Sequence, residues 1–457
     1  MCIRDRYLRT SSDNTVYGNI ISNISNTAIY ATASSNDLSI SFNNISNSMC
    51  GIYLIRANYN NIFNNTINNC SEHAIFLASY SSENIISNNT IRDCKDAIHL
   101  EYSNINKIRN NSLFSNNENG ILLYYADLNQ IGNNTIYGNN ENGIALLFSD
   151  ENVISNNRIY SNNNGVYLYK AGGTGNTIQY NEIFGNIMYG IYLNASRTAT
   201  AGNNEITGNE IYGNGKDGIY LLQSDVNNIK ENVVYNNTNG ISLTQSNNNA
   251  IRSNVIYQNI HNGINLTFSN SNSINNNTLY SNFNGIYLYQ SSQGDDHKFE
   301  SNSIYNNLNA GIYINSSDSN YFGFNGINTI YNNTYGIYIF AATSNFFAHN
   351  IIYNNSYGVY MTDSSTNNEI YENNISTNNY GIYVATADCT TNWFYWNNFI
   401  NNTLHNESQA YDRGNNSWYK ATTGNYWSDH PSTDPYTIPP GINQDKYPLL
   451  SPREWWL

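Results

Sequence analysis

A small residue followed by Ile or Val recurs along this chain at a nearly constant interval. Sixteen such markers run from Ala28 through Gly51, Gly120, Gly143 and Gly240 to Gly381, spaced 22 to 28 residues apart and most often 22 or 23. A fixed period of this length is the signature of a solenoid, in which each repeat buries its apolar face only against its neighbours. Within a repeat the order is roughly N-x-I-x-x-N-x-I-Y-x-N, then G-I-Y-L. Apolar and polar residues alternate over three or four positions, which predicts short strands with one buried face. Helical spacing never persists. A leucine-rich repeat has a similar length, but its leucine framework and helical side are missing. The pattern therefore predicts an all-β fold, a right-handed parallel β-helix of about 16 coils.

Asparagine is the second constraint, since 95 of the 457 residues are Asn. Such a residue disfavours strands and helix interiors, yet here it keeps a fixed distance from the apolar positions. In all sixteen repeats an Asn stands two residues before the second apolar strand position, as in Asn65, Asn89, Asn134, Asn157 and Asn277. Identical amides stacked one strand apart can donate and accept along a column. Two or three such columns would satisfy corner groups that water cannot reach, and Asn tolerates the left-handed backbone that tight corners need. Its abundance is thus read as structural. Asn-x-Ser/Thr sequons arise by chance in such a composition.

Composition excludes several classes. Hydrophobic residues at 40% argue against disorder. A net charge of −14 without a Lys/Arg run leaves no basic stripe for nucleic acid. No apolar run is long enough to span a membrane. Residues 1–10 contain no apolar signal region and resemble an assembly scar, so a truncated start with a missing export signal is expected. All six Pro lie between Pro431 and Pro452 and all six Trp between Trp393 and Trp456. The solenoid is therefore placed at 11–404. Residues 405–457 are read as an aromatic segment that caps the open end.

That tail also carries a family resemblance. The stretches GNYWSD (Gly424 to Asp429) and INQDKYPLL (including Asn443, Asp445, Tyr447 and Pro448) resemble the C-terminal end of NosD-like β-helix proteins, common among secreted and cell-surface proteins, notably of archaea. The repeats resemble the same family, so the likeness covers nearly the whole chain. It implies an exported β-helix protein, periplasmic or at the cell surface. It also implies either a carbohydrate-related role or, by the family name, copper delivery to a periplasmic reductase. Fold alone does not choose between them.

Outward tyrosines are the first candidate site. One series follows the marker's Ile and includes Tyr167, Tyr192, Tyr220, Tyr287, Tyr313 and Tyr338; a second follows the other strand, from Tyr137 to Tyr353. Stacked Tyr supports a parallel sheet by itself. It could also form a platform for sugars, with hydroxyls and amides as hydrogen-bond partners. Extra residues fall near Ala171–Gly175, Ser196–Gly202 and Ser291–Asp296, where binding loops would gather on one edge. The expected function is non-catalytic binding of polysaccharide or another cell-envelope component, with no cofactor required and a protein partner open. A polysaccharide lyase or glycoside hydrolase is the alternative, but it needs clustered carboxylates. The charge-rich patch Glu72, His73, Arg92, Asp93, Lys95, Asp96, His99 and Glu101 is read as solvated, as is the Asp295-Asp296-His297 loop tip.

Cysteines leave three readings open. Cys70 and Cys94 occupy one repeat position, where later repeats carry Asn139 and Asn162, so they should stack within disulfide range. They are inert packing residues, a disulfide in an oxidising compartment, or part of a metal corner with Met49, Cys50 and His73. Thiolate and thioether ligands select Cu(I), which suits the copper that the resemblance implies. Cys2 and Cys389 stand alone.

Overall fold

The computed structural model describes residues 6–171, 173–195, 203–291, 297–402, 408–441 and 443–454, and every regular element among them is a β-strand. Residues 1–233 and 234–457 form two compact units. Of the expected binding loops, 196–202 and 292–296 lie outside the described residues.

In the first unit one coil carries the strands Gln130–Gly132, Thr135–Tyr137 and Asn142–Leu147. The next carries Val153–Ser155, Arg158–Tyr160 and Asn164–Tyr169, and each pairs in parallel with its predecessor, Gln130 beside Val153, Thr135 beside Arg158 and Ile144 beside Val166. Ile131, Ile136, Ile144 and Leu146 point inward and are fully buried. The register repeats coil after coil, which is why the apolar alternation must return at a fixed period. Arg6–Arg9 already pairs with Ile29–Thr32, so the sheet reaches into the segment set apart as 1–10.

The marker must be small because the next coil closes tightly over it. A Cβ on Gly143 would lie 2.5 Å from Ile159 Cγ2 and 2.6 Å from the Gly165 carbonyl oxygen.

Three columns of amides run beside these strands. Asn134 donates its backbone N–H and its side-chain N–H to Asn157 Oδ1, at 2.9 and 3.0 Å, and Asn157 does the same to Asn181. Asn65 and Asn89 belong to this column. A second column includes Asn106, Asn129 and Asn152, and a third Asn116, Asn139 and Asn162. The left-handed backbone, however, is not at the ladder asparagines. It falls on the residue before nearly all of them, whether Asn64, Glu83, Ile105, Asn133 or Ser161, with Ile327 before Asn328 an exception. These corners require that conformation of whichever residue precedes the ladder, and the ladder fixes it from the following side. Asn134→Ala would strand the buried backbone N–H of Asn111, which now reaches Asn134 Oδ1 at 2.9 Å, and take from the Asn111 amide its 3.0 Å bond to the same oxygen, leaving it the Ile86 and Arg109 carbonyls. The expected cost is about 3 kcal/mol, readable as a lower urea midpoint, whereas an unchanged midpoint would mean that the column contributes nothing.

The second unit repeats the plan with a bulkier interior. Phe299, Phe322 and Phe347 stack inside it with centroids 4.5 and 4.7 Å apart. Asn277 donates to Asn302 within its first column. One ladder position is taken by an imidazole, since His297 follows Asn249 and Asn272. The residue expected at a solvated loop tip is fully buried, its Nδ1 accepting from the Asn272 N–H at 3.1 Å and its Nε2 donating to the Ser269 carbonyl at 2.7 Å. Asp295 and Asp296 lie outside the described residues.

These three ladders point their donors toward the C-terminus, and in this unit each ends on a carboxylate; a further column, Asn119, Asn142 and Asn164 in the first unit, donates the other way, toward Asp96. Asn397 donates to Asn425, whose backbone N–H reaches Asp445 Oδ2 at 2.7 Å. Asn392 donates to Asn416, whose amide reaches Asp412 Oδ1 at 2.8 Å. Asn402 donates to Gln409, whose amide reaches Asp429 Oδ1 at 2.7 Å. An ionised carboxylate only accepts, so it closes a chain of donors without requiring another coil. Trp427 stacks on Phe399 at 4.2 Å, Trp418 lies 4.4 Å from Phe394, and their indole N–H groups donate to Asp445 and Asp412. Lys420 reaches Glu369 at 3.2 Å, and Arg453 lies over Trp396 at 4.6 Å. Strand pairing continues beyond residue 404, with Ala410–Asp412 beside Ile382–Val384 and Tyr426–Trp427 beside Asn398–Phe399.

Candidate functional site

The two outward aromatic series differ in what they leave uncovered. Phe114, Tyr137, Tyr160, Phe184 and Tyr212 stack at 4.9 to 5.0 Å with planes within 10°. In the second unit Tyr235, Tyr257, Tyr280, Tyr305, Tyr331 and Tyr353 stack in the same way at 4.8 to 5.2 Å. Each interior ring has both faces covered by its neighbours, so these series support the sheet and offer only edges.

The other series is broken and mixed. In the first unit Tyr30 and Tyr53 lead to Phe76, His99, Leu122 and Ala145 before Tyr167, Tyr192 and Tyr220 resume. Tyr167 and Tyr192 lie 5.2 Å apart and Tyr192 and Tyr220 5.3 Å. In the second unit Tyr287 meets Tyr313 edge-on at 5.2 Å, and Tyr313 stacks on Tyr338 at 4.6 Å. From there the face doubles. Tyr335, Tyr357 and Tyr380 form a second row immediately before the marker glycines, 5.3 and 5.5 Å apart. They contact Tyr338, Tyr360 and Tyr383 across the row at 4.9, 5.2 and 5.0 Å. Near-perpendicular pairs such as Tyr338–Tyr360, at 89°, keep the rings from closing into one stack. Burial, then the neighbouring hydroxyls, pushes Tyr338 and Tyr360 up to about 12. Both hydroxyls therefore stay protonated donors at neutral pH. The second row is spelled out as Tyr-Gly at three successive markers, but the outward alternation that follows each marker does not include it.

The expected metal corner separates into two places. Cys70 and Cys94 sit inside the coil in the third column, the Cys70 N–H donating to Cys94 Sγ at 3.3 Å and the Cys94 N–H to Asn116 Oδ1. Both are free thiols, as are Cys50 and Cys389, and they fill the ladder position that Asn takes in later coils. Burial raises the Cys50 thiol, against a hydrogen bond from the His73 backbone. Met49 is exposed. These residues form no shared soft-ligand set among the described groups.

His73 instead meets two residues of the patch read as solvated. Asp96 is the residue paired with His73 on the next coil, and His99 lies three further along the same strand. Nδ1 of His73 is 3.2 Å from Asp96 Oδ2, Nδ1 of His99 is 3.8 Å from the same oxygen, and His73 Nε2 is 3.3 Å from His99 Nδ1. Asp96 is 1% exposed and both imidazoles 13%. The other oxygen, Asp96 Oδ1, accepts the backbone and amide N–H of Asn119 at 3.0 and 2.9 Å. Burial and the adjacent His73 push His99 down to about 4. Strict alternation does put His99 on the outside, but neighbouring coils cover it. A nitrogen–oxygen set of this kind fits a borderline divalent ion such as Cu²⁺ and does not fit Cu(I), which prefers sulfur.

Parallel coils, amide ladders and inward aliphatic columns define a right-handed parallel β-helix, and residues 6–135 match the family described as right-handed β-helix region. Three successive segments, 71–214, 198–335 and 327–432, match the family described as periplasmic copper-binding protein (NosD). The chain belongs to the NosD family. No curated protein sequence matches it. Among solved structures it is similar to the Dettilon tailspike protein, at 16% identity over 65% of this chain and 62% of that one, with a TM-score of 0.41. It is also similar to the Azotobacter vinelandii mannuronan C-5 epimerase AlgE6 A-module, at 12% identity over 87% and 89%, TM-score 0.35. A third is pectate lyase Pel9A, at 14% identity over 61% and 70%, TM-score 0.34. The chain thus spans under two thirds of the tailspike. Among the described residues no helix is long and apolar enough to cross a membrane.

Proposed function

We propose that this protein acts outside the cytoplasm as a non-catalytic scaffold that binds an extended neutral polysaccharide along its double tyrosine row. The observation that carries this reading is the two-ring-wide face made by Tyr335, Tyr338, Tyr357, Tyr360, Tyr380 and Tyr383. Half-buried rings that meet at varied angles present both apolar surface and hydroxyl donors, the combination that sugar rings require. Successive coils advance by about 4.8 Å, close to the advance per sugar in an extended glycan, so one chain can repeat its contacts coil by coil. A net charge of −14 disfavours acidic glycans. The periplasmic family agrees with the placement.

The test is calorimetric titration with neutral hexasaccharides and pull-down on insoluble neutral glycans. Tyr338→Ala combined with Tyr360→Ala is expected to weaken binding at least about 10-fold, since truncating one aromatic ring that packs on a sugar costs on the order of 1 kcal/mol. Tyr137→Ala, in the covered stack, should leave it unchanged. Equal binding by all three proteins would remove the reading. Appearance of new reducing ends or unsaturated sugars would replace it with a hydrolase or lyase.

A further inference from the structure

We propose that His73, Asp96 and His99 form a binding site for one borderline divalent transition-metal ion, Cu²⁺ ahead of Zn²⁺. Donor atoms bound about 2.0–2.1 Å from one tetrahedral ion stand about 3.3 Å apart. With one donor atom taken from each residue, the three lie within 4.8 Å of one another without an ion: His99 Nδ1 is 3.8 Å from Asp96 Oδ2, and His73 offers either Nδ1, 3.2 Å from that oxygen, or Nε2, 3.3 Å from the His99 nitrogen.

Only one polar contact inside the cluster is a hydrogen bond, between His73 Nε2 and His99 Nδ1 at 3.3 Å. His73 Nδ1 lies 3.2 Å from a carboxylate oxygen yet is not aligned to donate to it, and His99 Nε2 is buried with no partner. Each imidazole therefore keeps one nitrogen that no hydrogen bond engages. The outer contacts suit a metal site as well. Asn119 occupies Asp96 Oδ1 with two donors and leaves Oδ2 facing the histidines, the kind of outer-shell orientation that metal-binding carboxylates use. Phe76, 4.9 Å from each imidazole, covers one side, and Leu122 lies beside His99 on the following coil. The nearby cation Lys95 is held by Glu72 at 3.4 Å and Glu118 at 3.9 Å.

The neighbouring coils supply substitutions that the fold already accepts. The column of His73 and Asp96 continues with Asn119 and Asn142, and the column of His99 contains Phe76. His73→Asn with His99→Phe therefore removes two ligands while keeping residue types that pack there. Whole protein stripped with EDTA is titrated with CuSO₄, ZnSO₄ and CaCl₂ by calorimetry, and the copper sample is examined by frozen-solution EPR.

One Cu²⁺ per chain is expected, with nitrogen hyperfine structure from two imidazoles, Zn²⁺ at least about 10-fold weaker and no Ca²⁺ uptake. The double variant should lose at least about 100-fold, and Asn119→Ala about 10-fold. Circular dichroism and the thermal midpoint report whether each variant has kept its fold. Copper uptake that is equal in the variant, or an EPR spectrum without nitrogen coupling, places any binding on the acidic surface and overturns the proposal, as does no uptake at all. The site lies in the first unit and does not depend on the glycan face, so either result leaves the other reading standing.

Discussion

Asp445→Leu is expected to destabilise the C-terminal end by about 4 kcal/mol, the scale of removing one buried acceptor from several committed donors. Asp445 is fully buried and receives the Asn425 N–H at 2.7 Å, the Trp427 indole N–H at 3.0 Å and the Tyr447 N–H at 3.1 Å. Gly424 is required beside it, because a Cβ there would lie 1.8 Å from Asp445 Oδ1. Leucine would leave all three donors facing hydrocarbon. Asp445→Asn keeps one acceptor but turns an N–H₂ toward other donors, and about 2 kcal/mol is expected for it. All six tryptophans lie between Trp393 and Trp456, so intrinsic fluorescence in urea reads this end of the chain. Coincident unfolding curves for wild type and Asp445→Leu would show that the ladder needs no terminal acceptor.

Acidification should weaken the second unit through His297. Burial pushes this imidazole from 6.5 down to about 4, since both nitrogens are already committed to backbone partners and a charge there has no water. The folded state thus resists a proton that the unfolded state accepts. Stability from this group is complete above pH 6.5 and falls as the pH drops from 6.5 to about 4, by roughly 3 kcal/mol at about 1.36 kcal/mol per unit. His297→Asn removes that dependence. It also restores an amide opposite Asn320, whose Oδ1 is buried without a partner, which should add about 1 kcal/mol at neutral pH. Urea midpoints at about pH 7, above that window, and at about pH 4.5, near its lower end, check this for both proteins. A parallel decline in the two would assign the acid sensitivity to other groups.

Much of this architecture is legible in the repeat itself. Side chains one period apart do sit beside each other, as Asn134 and Asn157 show at 2.9 Å, because a closed parallel register admits no slippage. Propensity favours Asn at the αL corners, and so points to the ladder asparagines, whereas the corner imposes the conformation on nearly every residue that precedes the ladder, even Ile105 and Val226. His297 is hidden by its insertion, which disguises a ladder position as a loop. The two histidines divide between a sulfur corner and a solvated patch when only the sequence is considered. Periodicity says which residues are neighbours and which side they leave from, but not how far an outward side chain is covered by the coils beside it. The sulfur corner does not form for a related reason, since Cys70 and Cys94 leave from the inner side and His73 from the outer.

The directionality of the amide chains has a consequence for how such a protein can lengthen. A coil that keeps Asn at all three ladder positions receives donors on one side and passes on an equal set at the other, so duplication of such a repeat leaves both of its new junctions chemically complete. Only the final carboxylates are unique, and they need not change when a repeat is gained or lost upstream. Growth by copying is therefore unconstrained in number but fixed in sense: a repeat inserted whole is neutral, and the terminus cannot be exchanged with the beginning.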